Sequence, residues 1–301
     1  MSELTVSIMK KLLALFLIPA MVLVGCSNDE VTPSAPPVVE APKTAAEQLT
    51  SADWETKKVS ESIVWKYKHF KELFSSNQSI TILDIDLNDA GLEVEVPHVL
   101  SGFIKTSEAA ASVGATVAIN GSFFDTSKGG STVFFKKDGE IINTTRSGFT
   151  PYRENAGFAI GTDGSISVVK KPAAGWSSLT EAHTLLASGP LLVLDDKTVK
   201  QEQQVFNTNR HPRTAVGITA DNHLIAVVVD GRFTEAHGMT TEELATVMHA
   251  LGCVEAMNLD GGGSSTAWIR NRGVVNYPCD NKKFDHGGER GVATAIAFVQ
   301  K

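Results

Sequence analysis

The sequence predicts an α+β domain, mostly antiparallel β-sheet in hairpins with a few helices packed on it. Three observations carry this. Short apolar runs alternate with polar residues from Ser79 onward, the pattern of half-buried strands. The turn sequences Lys137-Asp138-Gly139, Thr162-Asp163-Gly164 and Ala220-Asp221-Asn222 each separate two β-rich arms. One segment carries a full set of helix signals: Thr240 as N-cap, Glu243 three residues on, then Leu244, Val247, Met248 and Leu251 on one face, and Gly252 as the stop.

In chain order, Lys10 and Lys11 precede the apolar run 12–24, which is too short to cross a bilayer comfortably. The run ends in Leu23-Val24-Gly25-Cys26, which resembles a bacterial lipobox. Residues 1–25 are therefore expected to be a lipoprotein signal peptide and Cys26 the lipidation site, with a plain signal peptide as the alternative. By resemblance to sorting in Gram-negative bacteria, Ser27 implies an outer-membrane anchor facing the periplasm. Residues 26–46, with Pro33, Pro36, Pro37 and Pro42, read as the acylated Cys and a flexible tether.

Residues 47–301 form the expected domain, with its core at 79–300. Trp54, Trp65, Tyr67, Phe70 and Phe74 open it, in either a helical lead-in or an edge strand. The runs at 80–87 and 92–96, on either side of Asn88-Asp89-Ala90-Gly91, read as a surface hairpin. Residues 106–113 read as a short helix capped by Thr106. The runs at 115–119, 215–219, 224–229, 254–259 and 292–299 read as buried strands.

The chain has 301 residues and a formal net charge of −7, with no basic stripe to neutralise phosphates, which excludes a nucleic-acid surface. Cys253 and Cys279 would meet an oxidising compartment and either pair or stay as buried thiols. Familiar chemistries fail by inspection. There is no Walker loop, no G-x-S-x-G elbow and no HExxH, and the eight histidines do not cluster.

Five polar segments sit at ends of apolar runs, where rigid scaffolds place reactive groups. They are 120–125, 210–214, 230–232, 260–266 and 287–290. The fourth, Asp260-Gly261-Gly262-Gly263-Ser264-Ser265-Thr266, is the most informative. It offers one carboxylate, glycine backbone open to close approach, and three hydroxyls. If these ends converge, the site holds two or three carboxylates, several arginines and a Gly/Ser/Thr cradle. Carboxylates suit acid/base work or attack at an anomeric carbon, and arginine forks suit a phosphate. A Gly-rich turn offers an anion nest. Together they point to a phosphorylated sugar.

The segments Asn120-Gly121-Ser122-Phe123-Phe124, Ser188-Gly189-Pro190, 210–217, 229–232, Gly238-Met239-Thr240, 258–266 and Glu289-Arg290 occur in one order that resembles the phosphodiester glycosidase family. That family includes the lysosomal uncovering enzyme acting on N-acetylglucosamine-1-phosphodiesters. The resemblance covers roughly residues 79–300. One departure is Ser122, where the family commonly shows a second glycine.

The resemblance implies a hydrolase that cleaves a sugar-1-phosphodiester, a small molecule or an envelope glycopolymer, at the glycosidic C–O bond. Asp260 or Asp230 is the expected base or nucleophile, with Glu289 in reserve. Arg213 is expected to hold the phosphate, helped by Arg290 or Arg232. Gly261, Gly262, Gly263, Ser264 and Ser265 would line the sugar–phosphate junction, and Asn120, Asp125 and Thr214 would contact substrate. No cofactor is required on this reading. A rival is a P–O-cleaving phosphodiesterase using Mg²⁺ or Ca²⁺ held by Asp230 and Asp260. Another is a non-catalytic envelope lipoprotein that binds glycan or phosphate.

Overall fold

The computed structural model describes residues 42–300; the expected signal peptide, Cys26 and most of the tether lie outside the described residues. Among the described residues every ladder between strands is antiparallel. The largest sheet has eight strands in the spatial order Glu55–Lys58, Ile63–Leu73, Ser76–Asp86, His223–Val229, Arg213–Thr219, Cys253–Asn258, Leu191–Leu194, Lys197–Thr198. Two five-stranded sheets and a two-stranded one, Ile104–Lys105 with Gly291–Val292, complete the fold. Of the five-stranded sheets, one is built around Val117–Asn120 and Ala295–Gln300, the other around Ala156–Gly161 and Ala182–Ser188.

The strand His223–Val229 shows why the sheet is buried on both faces. Leu224, Ala226 and Val228 join a core shared with Val117, Ile119, Ile296 and Phe298 of one small sheet and Phe135, Phe158 and Leu186 of the other. Ile225, Val227 and Val229 point the opposite way, under helix Thr241–Ala250, whose Leu244, Val247 and Met248 are fully buried. An uninterrupted apolar run is what a central strand needs when both its faces are covered. Each such side chain contributes about 1.5–3 kcal/mol on leaving water.

The helix starts as its sequence requires. Thr240 Oγ1 accepts from the Glu243 N–H at 3.1 Å and the Glu243 carboxylate accepts from the Thr240 N–H at 2.9 Å. Such a cap contributes about 1 kcal/mol. The three expected hairpins pair across 137–140, 161–166 and 219–223.

Two expectations need correction, the hairpin at 88–91 and the cap at Thr106, and two that were open are decided. The runs flanking Asn88–Gly91 do not form a hairpin: Ser76–Asp86 pairs with Ile63–Leu73 and His223–Val229, while Leu92–Glu95 pairs with Ala295–Gln300 in another sheet. The polar turn redirects the chain between layers. The entry segment is both helix and sheet, namely helix Ala45–Thr50 followed by strands Glu55–Lys58 and Ile63–Leu73. The helix Thr106–Ser112 is entered from Lys105, and Thr106 is its buried first residue. Cys253 and Cys279 are unpaired buried thiols: Cys253 packs beside Gly217, whereas Cys279 Sγ accepts from Arg232 Nη1 at 3.6 Å.

Candidate active site

Three strand ends meet at one point. Strand Cys253–Asn258 continues into Leu259, whose N–H donates to Thr214 O at 2.8 Å. The Asp260 N–H then donates to Gly121 O at 3.1 Å, and the Gly262 N–H to Pro212 O at 2.9 Å. The side chain of Asn120 completes the join. Its amide donates to Asp260 O at 2.8 Å, and its oxygen accepts from Thr214 Oγ1 at 2.7 Å and from the Thr266 N–H at 3.1 Å. Every partner is buried or nearly so, and buried polar groups persist only when paired in this way. The first, second and fourth polar segments therefore form one floor.

The other two segments supply cations. Arg232 lies at φ +68°, a backbone region costly for a residue with a side chain, and its guanidinium lies over the α-carbon of Gly262. Arg290 makes a two-pronged ion pair with Asp280, Nε to Oδ2 at 2.6 Å and Nη2 to Oδ1 at 2.8 Å, directly over Gly263. Any Cβ on Gly263 would collide with this pair, so the third glycine of the run is required by packing.

Asp260 sits in a cleft of about 150 Å³ with Gly261, Gly262, His211, Arg213, Arg232, Arg290 and Phe206. Burial pushes its carboxyl up to about 6, against the opposing pull of the Ser264 hydroxyl, the Gly261 amide and the fields of Arg153 and Arg290. Among the described residues lining this cleft, Asp260 is the one carboxylate. Burial, with Arg213 and Arg232 nearby, holds His211 below the ordinary histidine range, so its imidazole is neutral at pH 7.

Arg153 is a site residue that the motifs do not single out. Its guanidinium lies 4.4 Å from the ring centres of both Phe123 and Phe206. Its buried Nε has no protein partner, and its charge acts on Asp260. Burial lowers its pKa. The sequence signal is faint: an Arg in a short 3₁₀ turn, Pro151–Glu154, far in the chain from the other segments. Only the aromatics of Phe123 and Phe206 closing on it reveal the site.

Several expected site residues do other work. Asp230 is 1% exposed and accepts from Ser79 Oγ at 2.6 Å, Asn276 Nδ2 at 2.9 Å and the Tyr277 N–H at 2.8 Å. It does not line the cleft; it ties strand Ser76–Asp86 to the 276–277 loop, although burial pushes it up to about 6. With its lone pairs facing three donors, Asp230 does not fit the Mg²⁺ or Ca²⁺ pair expected of it with Asp260. Among the described residues no three His, Cys, Asp or Glu side chains converge as a metal site.

Arg213 lines the cleft but is 1% exposed, and its Nε and Nη2 donate to the carbonyls of Met239, Phe206 and Asn209 at 2.6–3.0 Å. Burial pushes this guanidinium down to about 9, with Arg153 adding to the effect, which leaves it charged at neutral pH. These bonds make it part of the cleft wall.

Glu289 caps helix Thr106–Ser112, accepting from the Ser107 N–H at 2.7 Å and Ser107 Oγ at 2.6 Å. Asn120 and Thr214 hold the floor and do not face a sugar. Asp125 is held by Ser127 and Lys128 in its own loop and by an ion pair to Arg146. The hydroxyls of Ser265 and Thr266 are buried without protein partners. Ser122, the departure from the family pattern, is used structurally: its hydroxyl donates to Ala187 O at 2.6 Å.

Residues 113–299, well over half of the chain, match the family model described as phosphodiester glycosidase. The chain belongs to the phosphodiester glycosidase family. Among the relatives of this chain, the mouse N-acetylglucosamine-1-phosphodiester alpha-N-acetylglucosaminidase is 28% identical over 189 residues, covering 58% of this chain and 35% of the relative. A Bacillus subtilis prophage-derived protein, YomE, is 29% identical over 136 residues, covering 38% of this chain and 21% of the relative. The chain thus spans about a third or less of the length of these curated relatives. Two solved structures share the fold. The zebrafish N-acetylglucosamine-1-phosphodiester alpha-N-acetylglucosaminidase catalytic domain, auto-inhibited by its pro-peptide, matches with TM-score 0.63 at 22% identity, covering 83% of this chain and 85% of that one. A hypothetical protein from Synechocystis matches with TM-score 0.61 at 14% identity, covering 83% of this chain and 64% of that one.

Proposed function

We propose that this chain hydrolyses a sugar-1-phosphodiester at the anomeric C–O bond, giving free sugar and a phosphomonoester. One observation carries the reading. Asp260, with its pKa raised to about 6, stands among Arg153, Arg232 and Arg290 at the glycine turn. A carboxylate poised near neutrality suits proton abstraction or attack on carbon, and cations around it suit the phosphate that leaves.

In the step proposed, ionised Asp260 takes a proton from water as the water oxygen bonds to the anomeric carbon, or attacks that carbon itself to form a glycosyl ester that water then hydrolyses to free sugar and the Asp260 carboxylate. The C–O bond to phosphate breaks and its electron pair leaves on the phosphate, held by Arg232 and Arg290. A phosphate leaves readily, so a second carboxylic acid is not needed. This agrees with a cleft that holds one carboxylate.

Hydrolysis in ¹⁸O-water tests the assignment. Label in the sugar supports C–O cleavage, and label in the phosphate overturns it in favour of a phosphodiesterase. No turnover on a panel of sugar-1-phosphodiesters leaves a binding protein. The names of the mouse and bovine relatives put N-acetylglucosamine-1-phosphodiesters first on that panel. We also propose that Cys26 carries a lipid anchor holding the domain at the bacterial envelope, on the periplasmic face of the outer membrane. Support comes from Lys10, Lys11, the apolar run and the lipobox-like Leu23–Cys26 sequence. Radiolabelled palmitate should label the wild type and not Cys26→Ala; equal labelling of both would remove the anchor.

A further inference from the structure

We infer that the aglycone side of the substrate, beyond the phosphate, is apolar and lipid-like, and that Phe103 and Phe124 bind it. This rests on the reading of Asp260 and its arginines as a phosphodiester site, and extends it to substrate class.

The observation is a second cleft, of about 550 Å³, lined by Phe103, Phe124, Thr126, Arg290 and Gly291. Arg290 lines both this cleft and the one that holds Asp260. A phosphate held by Arg290 therefore has the reacting sugar on the Asp260 side and its second ester group on the Phe103 side. No acid or base lines the second cleft except Arg290 itself. What it offers is two aromatic rings, edge to face with centres 5.9 Å apart.

The wall is built, not incidental. Phe103 is 47% exposed and Leu100, in the same loop, is 73% exposed; they are two of the four large apolar side chains exposed among the described residues. The loop that carries them is clamped. Gly102 and Gly129 face each other in a backbone bridge, the Gly102 N–H donates to Lys128 O at 2.8 Å, and a Cβ on Gly129 would collide with the Gly102 main chain. Asp125 fixes the opposite loop through Ser127 and Lys128. Gly291 lets Phe103 sit against the main chain next to Arg290: a Cβ there would lie 2.8 Å from Phe103 Cβ. A rigidly held, half-exposed aromatic beside an anion-binding arginine is the arrangement a phosphate ester with an apolar tail would select.

The test uses methyl, butyl and octyl phosphate as probes, with binding to the full domain measured by calorimetry below the aggregation limit of the octyl ester. The expected result for the wild type is a dissociation constant that tightens about tenfold from methyl to butyl and further to octyl, since each buried methylene adds to the transfer free energy. In Phe103→Ser the chain-length dependence should flatten while methyl phosphate affinity stays. Arg290→Met should weaken all three probes alike. Equal affinity for all three esters in the wild type, or a chain-length dependence unchanged in Phe103→Ser, would overturn the inference. These outcomes do not depend on turnover. The ¹⁸O experiment can fail while the alkyl series succeeds, and a flat alkyl series leaves the reading of Asp260 standing.

Discussion

Gly263 lies directly beneath Arg290: a Cβ on Gly263 would come 2.5 Å from Arg290 Nη2 and would also collide with Asp280 Oδ1. The third glycine of the run thus sets the position of a cleft cation. Gly263→Ala is expected to displace the Arg290–Asp280 pair and to cost about 1–3 kcal/mol from overpacking. Turnover should fall about tenfold or more, mainly through KM. Steady-state kinetics alongside denaturant melts check this, and unchanged KM in a folded variant would count against Arg290 as a phosphate ligand.

Asp260 must be ionised to act as base or nucleophile. With its folded pKa raised to about 6, kcat/KM is expected to rise with pH, reach half its plateau near 6 and stay level above. Asp260→Asn should lose turnover by about a thousandfold or more while melting normally. A rate profile that falls through pH 6 instead would assign the group as an acid.

Asp230 has a structural task, so its substitution should behave oppositely. Asp230→Ala leaves Ser79, Asn276 and Tyr277 with unpaired donors and is expected to cost about 3 kcal/mol, read as a lower denaturation midpoint at constant m-value. Its titration has a defined sign. The folded pKa of about 6 lies above the ordinary 3.8, so this group's contribution is fully present below pH 3.8 and is lost as pH rises through 6. That amounts to about 3 kcal/mol for a shift of this size. In Asp230→Asn this part of the pH dependence should vanish, and urea melts at pH 4 and pH 7 measure it.

Arg213 and Arg232 separate wall from ligand. Arg213→Met strands the carbonyls of Met239, Phe206 and Asn209 and should destabilise by about 3 kcal/mol. Arg232 is exposed and should lose substrate affinity on substitution by Met, with stability within about 0.5 kcal/mol of wild type. Equal losses of stability in both variants would contradict this division.

Much of the fold is legible in the residues. Helix Thr241–Ala250 has its cap, stripe and stop in the sequence, and so do the three hairpin turns. The helix Ala45–Thr50 has its signature too, Thr44-Ala45-Ala46-Glu47, with the Glu47 N–H donating to Thr44 Oγ1 at 3.2 Å, but its cap and first residues fall in the stretch expected to be tether. What local pattern does not encode is which sheet a strand joins. Leu92–Glu95 has the alternation of a hairpin arm, yet its partner is Ala295–Gln300, some two hundred residues away. At the site, the segments that converge are readable because glycine, carboxylate and arginine cluster at strand ends. Their division of labour is not. Asp230 and Asp260 both follow apolar strands and precede glycine, and burial raises both, but only one borders open space. Arg153 escapes local reading because its environment is assembled by Phe123 and Phe206 from distant parts of the chain.

The latch made by the Asn120 side chain has an evolutionary corollary. Because one amide group locks three chain crossings, an insertion or deletion anywhere along them would break several bonds at once, so the reactive base of the site is closed to gradual change. The loop bearing Leu100 and Phe103 takes no part in those three bonds. If the proposed hydrolysis holds, the rim is the part of this scaffold that could be remodelled for a different leaving group while the base stays intact.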